Sequence, residues 1–225
     1  MCVIGAGRRA LRGETAAAIL AQYYPGLEVA SLPVGAARAA SSISPAVAAV
    51  RRDSGITVTV PRSSTVAASE LERMAARAHE ELARSIGTSA RPLTIRLHET
   101  LDTFRLATNR PWWVNEVAEG SAIDLAPASV LTQRGGVEAS VRTAVAELLV
   151  ARRLDGRPAW IRVGAARYFA KVSAAMRAAS PQTRCPTDAE LLLAVSASAQ
   201  REAELRAEAC FVRELKKTGN WLDVR

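Results

Sequence analysis

The segment ITVTV at Ile56–Val60 constrains the fold most strongly, because a long helical pattern follows it so closely. Its β-branched residues predict a short strand, which Pro61 ends. Residues 66–86 then place apolar side chains at helical spacing, and Gly87 ends that helix. The apolar stripe consists of Leu71, Met74, Ala75, Ala78 and Leu82. A strand that leads so directly into an amphipathic helix indicates a fold that mixes strands with helices.

Short strands and then helices follow along the chain. Residues 93–98 alternate as a strand, Thr100 caps a helix that runs to about residue 107, and Ala122–Leu125 is predicted as a third strand. Helical spacing returns over Val137–Arg153, 159–178 and 187–217, and the last of these helices could be broken near Ser196. This order predicts an α+β fold, with a small mixed or antiparallel sheet followed by helices and a helical C-terminal segment.

The first 55 residues differ in character from the rest. Two short helices are predicted at 4–12 and 15–24, and a strand at 27–32. Residues 33–44 are rich in Ala, Ser and Gly and have no clear period, so a linker is predicted there. Ser44-Pro45 then predicts the start of a short helix that reaches residue 52.

The positive net charge of the chain is weak evidence about its function. The net charge is +8, and only three of the 30 basic residues are lysine, which leaves 27 arginines, most of them placed singly on the polar sides of helices. This pattern disfavours a nucleic-acid partner, which needs a clustered basic face. A basic surface that binds an anionic polymer remains an alternative.

Neither a membrane span nor a secretory signal is predicted. No segment reaches the roughly 18 apolar residues that a span requires. The first residues, MCVIGAGRRALRG, place apolar before basic residues, which reverses the order of a secretory signal. As written, the sequence therefore predicts a cytoplasmic protein.

The three cysteines have no metal-binding spacing. Cys185 and Cys210 each lie beside a helical segment near the C-terminus, so they could pair in an oxidising compartment. Free buried thiols are the equally ordinary alternative.

The opening MCVIGAGRRALRGETAAAILAQYYPGLEV resembles the C-terminal end of the stage II sporulation protein D family, also called the LytB or amidase-enhancer family. The matching features are Met1, the Gly5-Ala6 pair, Gly13, the Ile19-Leu20 pair and the YYPG run at 23–26. The resemblance implies that residues 1–32 are the tail of such a domain, with its catalytic part upstream of Met1. It also implies a parent protein that is exported to the cell envelope and acts on glycans.

A second resemblance covers residues 55–173, where RPLTIRLHETLDTFRLATNRPWW, SAIDLAP, VRTAVAELLV and RPAWIRVGAARYFA occur in this order. These stretches are similar to the peptidase-MA-like zinc metallopeptidases of the gluzincin group. The resemblance implies a zincin-like domain over 56–180, preceded by a linker and short helix at 33–55 and followed by a helical extension at 181–225.

The zinc ligands of that group are absent from the matching positions. Its HExxH motif, which supplies two imidazoles and the general base, falls on Thr143-Ala144-Val145-Ala146-Glu147. Its third ligand falls on Val163. A single carboxylate, Glu147, cannot hold catalytic zinc, which takes three protein ligands. No cofactor and no catalytic residue are therefore expected.

The expected function is binding, by a metallopeptidase-like domain that has lost catalysis. The resemblance implies that Ala122–Leu125, which carries Asp124, is the edge strand along which an extended peptide lies, and an envelope protein is the other candidate partner. Trp112, Trp113 and Trp160 could line the groove, although core packing explains them as well. The alternative is a residual zinc hydrolase whose displaced site combines Glu147 with Asp124, His98 or His79.

Overall fold

The computed structural model describes residue 9 and residues 12–23, 48–51, 55–89, 92–171 and 184–225. The chain divides into two compact units, Met1–Ser44 and Pro45–Arg225. In the first unit, helix α1 spans Ala16–Tyr23, and the Thr15 Oγ1 accepts a hydrogen bond from the Ala18 N–H at 3.3 Å. The predicted helix at 15–24 is thus confirmed. The predicted strand at 27–32, the linker at 33–44 and most of the helix at 4–12 lie outside the described residues.

The second unit contains a five-stranded mixed sheet. Its strands are β1 (Ala48–Arg51), β2 (Ile56–Val60), β3 (Leu93–Leu97), β4 (Glu116–Glu119) and β5 (Ala122–Leu125). They lie in the order β1-β2-β3-β5-β4, with β2, β3 and β5 parallel and the two outer strands antiparallel to their neighbours. The α+β fold with a small mixed sheet is therefore confirmed.

Two features of the sheet differ from expectation. The helix predicted at 45–52 is wrong, because residues 48–51 form β1 and pair with β2, Val50 opposite Val58. Partners along the sheet override the local helix signal there. The expectation that Ala122–Leu125 is the edge strand is also wrong, since β4 covers it and forms the edge itself.

Helices pack against this sheet and against one another. They are α2 (Ala68–Ile86), α3 (Leu101–Thr108), α4 (Ala128–Gln133), α5 (Val137–Arg153), α6 (Ala159–Ala170), α7 (Asp188–Leu192) and α8 (Ala197–Thr218). The predicted stop of α2 is observed at Gly87, which takes the left-handed conformation at φ 72°. Thr100 caps α3 as predicted, by accepting a hydrogen bond from the Thr103 N–H at 3.1 Å. No helix among the described residues is both long and apolar enough to span a membrane.

The hydrophobic core lies between the sheet and helices α2 and α5. Fully buried side chains include Val58 and Ile95 from the sheet, Leu82 from α2 and Leu149 from α5. Helix α8 packs closely on α6 at Gly164, where an added Cβ would lie 2.7 Å from the Phe211 Cβ and closer still to the Ala207 carbonyl. This contact joins the C-terminal helix to the core through Phe211.

Candidate functional site

A cavity of about 260 Å³ lies beside the edge strand β4. Helices α5, α6, α7 and α8 and the segments before β4 and after α7 complete its walls. The polar residues in its lining are Arg110, Glu116, Glu147, Arg162, Gln200 and Glu204. The remaining lining is aliphatic apart from Pro111, and includes Val117, Val163 and Leu191. Carboxyl and guanidinium groups therefore share a small space with apolar walls.

Burial sets the electrostatics of the two carboxyl groups nearest the sheet. Burial raises the pKa of Glu147 to about 7, and Glu204 adds to the increase while Arg167 and Arg110 oppose it. Burial also raises the pKa of Glu116 well above its ordinary value. The charges of Glu147 and Glu204 raise the pKa of Glu116 further, whereas a Ser140 hydrogen bond and Arg167 lower it.

The third carboxylate, Glu204, is held by fixed partners. Its Oε2 accepts a hydrogen bond from the Arg167 guanidinium at 3.0 Å, and its Oε1 accepts one from the Gln200 amide at 2.9 Å. Arg167 also bonds Glu208 at 3.1 Å. The Trp113 indole N–H donates to the Gln200 side-chain oxygen at 2.9 Å. This network links α6 to α8 and fixes one wall of the cavity.

Of the residues 143–147 that align with the HExxH motif, one lines the cavity and others lie in the core. Glu147 lines the cavity, and so does Val163 at the position of the third ligand. Ala144 is fully buried in the core, and the Thr143 hydroxyl donates to the Ala139 carbonyl at 3.0 Å. Among the residues that the structure describes, no group of three or more His, Cys, Asp or Glu side chains is placed to hold a metal ion.

The residues of the displaced zinc site do not converge on one point, although two of them are in contact. The His98 Nε2 lies 2.8 Å from the Asp124 Oδ1, and the His98 ring packs edge-on against Phe104 at 5.6 Å. His79 is buried on α2, where burial and the nearby charge of Arg152 lower its pKa. None of His79, His98 or Asp124 is in the cavity lining that contains Glu147.

The predicted tryptophans and cysteines have structural contacts. Trp113 anchors Gln200 as described, and Trp160 packs partly buried against the core. Trp112 is 53 % exposed, with the Arg134 guanidinium 5.5 Å from its ring centre. None of the three is in the cavity lining. Cys185 and Cys210 are joined in a disulfide that ties the segment before α7 to α8.

The backbone of β4 also bears on the site. The Ala126 N–H donates to the Asn115 carbonyl at 2.8 Å, which makes these residues a hydrogen-bonded pair just before β4. In an antiparallel ladder such pairs alternate, so Val117 and Glu119 bond inward to β5. The N–H and C=O groups of Glu116 and Ala118 therefore face outward. Among the described residues, no hydrogen bond uses these outward groups, and both residues line the cavity.

Several of the arginines are paired with carboxylates. Ion pairs with carboxylates engage Arg77, Arg142, Arg184 and Arg206, among others. Arg77 and Arg142 join α2 to α5, and Arg206 joins α8 to α7, so these arginines serve contacts between helices.

Sequence reasoning found Glu147 through its register but missed the other polar residues of the cavity. Glu116, Arg162 and Glu204 belong to three different elements, and only folding brings them together. The one available signal was the alternation in NEVAE before Gly120, which is typical of a strand that enters a hairpin.

A scan of the chain against protein-family models finds no match, and a search of curated proteins finds no similar sequence either.

Proposed function

We propose that this protein is a metallopeptidase-like domain without catalytic activity, and that it binds an extended peptide segment, as part of a cell-envelope protein. The peptide adds as a further strand along the outer edge of β4. The observation that carries the proposal is the outward-facing backbone of Glu116 and Ala118 at the edge of the sheet, bordered by a cavity. Strand addition gives affinity through main-chain hydrogen bonds, and adjacent pockets give specificity.

The surroundings of β4 support this proposal. The strand is short, and Glu116, Val117 and Ala118 are half-buried. Two of these three residues are uncharged, so a partner strand that covers them would bury few additional charges. Val163 and Glu147 stand where the gluzincin resemblance would require zinc ligands. A groove that borders an edge strand, here β4, but lacks the ligand set can hold a peptide without cleaving it.

The test uses a fluorescein-labelled hexapeptide, Thr-Val-Thr-Val-Thr-Val, and two N-methylated copies of it. One copy is methylated at its odd residues and the other at its even residues. Because only alternate residues bond to the neighbouring strand, one copy should lose binding at least tenfold while the other keeps it. Fluorescence anisotropy measures the three affinities. No binding at about 1 mM, or equal loss by both copies, contradicts the proposal.

The Ala118→Pro variant supplies the matched protein control. Proline removes the outward N–H of residue 118 and is tolerated at an edge position of this kind. The variant should bind the hexapeptide at least tenfold more weakly than the unaltered protein. Glu119→Gln changes an exposed side chain whose backbone bonds inward, and it should bind as the unaltered protein does.

A further inference from the structure

Two residues that line the cavity each carry a buried polar atom that has no hydrogen-bond partner among the residues that the structure describes. These atoms are the Glu116 Oε2, an acceptor, and the Arg162 Nε, a donor. Buried donors and acceptors are paired almost everywhere in folded proteins, and an unpaired one is costly. An orphan acceptor and an orphan donor in one small cavity point to a ligand that satisfies both.

The neighbouring polar groups narrow the choice of ligand. Glu204 is already bonded to Arg167 and Gln200, so it offers little to a ligand. The groups left are carboxyls, Glu116 and Glu147, and guanidinium groups, Arg162 and Arg110. A carboxyl group pairs best with an ammonium, and a guanidinium pairs best with a carboxylate. The ligand should therefore carry both charges.

The size of the cavity and its apolar walls narrow the choice of ligand further. A volume of about 260 Å³ lies just below the range of drug-sized pockets, so it suits a molecule of one residue. The walls include Val114, Val117, Val163 and Leu191, which favour an aliphatic group.

We propose that this cavity binds a free α-amino acid with an aliphatic side chain, with the ammonium group on Glu116 and the carboxylate on Arg162. The two orphan atoms are shielded from solvent, and the side chains that carry them line the cavity from β4 and from α6. The ammonium supplies the counter-charge that the buried Glu116 lacks. This site adjoins the outer edge of β4, because Glu116 and Ala118 line the same cavity, and the binding of a free amino acid goes beyond the proposed function.

The first test uses three probes of one shape on the unaltered protein. L-Leucine carries both charged groups, 3-methylbutylamine lacks the carboxylate, and 4-methylpentanoate lacks the ammonium. Leucine should bind in calorimetry, and each analogue should bind at least tenfold more weakly, because it leaves one buried group unpaired. Analogues that match leucine, or no saturation by leucine at about 10 mM, overturn the proposal.

The second test uses variants with matched controls. Glu116→Gln and Arg162→Met should each weaken leucine binding at least tenfold, whereas Glu119→Gln and Arg153→Met alter exposed charges nearby and should leave it unchanged. Thermal melting checks that the variants fold, and the analogue series decides the matter if they do not. Hexapeptide binding without leucine binding overturns this inference alone, and leucine binding without hexapeptide binding overturns only the proposed function.

Discussion

Glu116 on the edge strand and Glu147 on helix α5 line the same cavity, and the negative charge of Glu147 raises the pKa of Glu116. Two carboxyl groups from different elements thus share one buried space. The fold tolerates this arrangement because, at or below neutral pH, protonation removes much of the charge. The stability of the protein should therefore depend on pH through these groups.

The Glu147→Gln variant should be more stable than the unaltered protein at pH 8. The pKa of Glu147 rises from 4.5 to about 7 on folding. The unfolded chain releases this proton at lower pH than the folded chain does. Stability is therefore fully present below about pH 4.5 and falls as pH rises toward 7.

The full change in pKa corresponds to about 3 kcal/mol, so the glutamine variant should gain about 1–3 kcal/mol at pH 8. It should gain little at pH 4. Urea unfolding at both pH values measures the difference, with Glu119→Gln as the exposed control. An equal effect at both pH values would show that Glu147 keeps its ordinary pKa.

Proline substitutions should report the register of β4. The Val117→Pro variant removes an N–H that bonds to β5, and it should lose about 1–3 kcal/mol of the free energy of unfolding. Ala118→Pro removes an outward N–H and should cost much less. Chemical unfolding of the two variants compares them directly. A larger loss of the free energy of unfolding for Ala118→Pro than for Val117→Pro would show that Ala118, and not Val117, bonds to β5.

Gly164 should not tolerate a methyl group. Replacement of a helical glycine with alanine ordinarily stabilises a helix by about 1 kcal/mol. Here the new Cβ would lie 2.7 Å from the Phe211 Cβ. We expect Gly164→Ala to destabilise the protein by about 1–3 kcal/mol, because α6 and α8 must move apart. Thermal melting tests this, with the exposed Arg153→Ala as a helix control that should melt within a few degrees of the unaltered protein.

Loss of the disulfide should destabilise the protein measurably. Cys185 and Cys210 are 25 residues apart in sequence, and the cross-link restricts the unfolded chain over that loop. The Cys185→Ser/Cys210→Ser variant should lose about 3 kcal/mol relative to the oxidised protein. Reductant should lower the stability of the unaltered protein by a similar amount and leave the double variant unchanged. A reductant effect of equal size on both proteins would exclude this bond as the cause.

Strong local patterns made much of the fold predictable. The β-branched run of β2, the stripe and final glycine of α2 and the Thr100 cap of α3 each specify their structure within a few residues. β1 and β4 depend instead on pairing with the next strand along the chain, β2 and β5 respectively. The EVAE sequence of β4 has acidic residues at both ends, so its strand state follows from pairing with β5.

The candidate site was less predictable than the fold. Glu147 was found because it lies in a motif register on one helix. Glu116, Arg162 and Glu204 come from three elements, and nothing in their local sequence indicates that they meet. Their juxtaposition follows from the strand order and from the packing of α6 on α8, which short-range patterns do not encode.

A tight turn joins β4 to β5, whereas the strands in the interior of the sheet are joined by long crossovers. Residues 120–121 join these strands, and Gly120 takes a φ of 60° that suits a tight turn. The parallel strands β2, β3 and β5 instead require long crossovers through α2 and later segments, so their separation would disrupt the core. β4 pairs with one strand, β5, so its separation would break a single ladder of hydrogen bonds. Opening the sheet at this end would leave the crossover through α2 intact, whereas opening it between β2 and β3 would not.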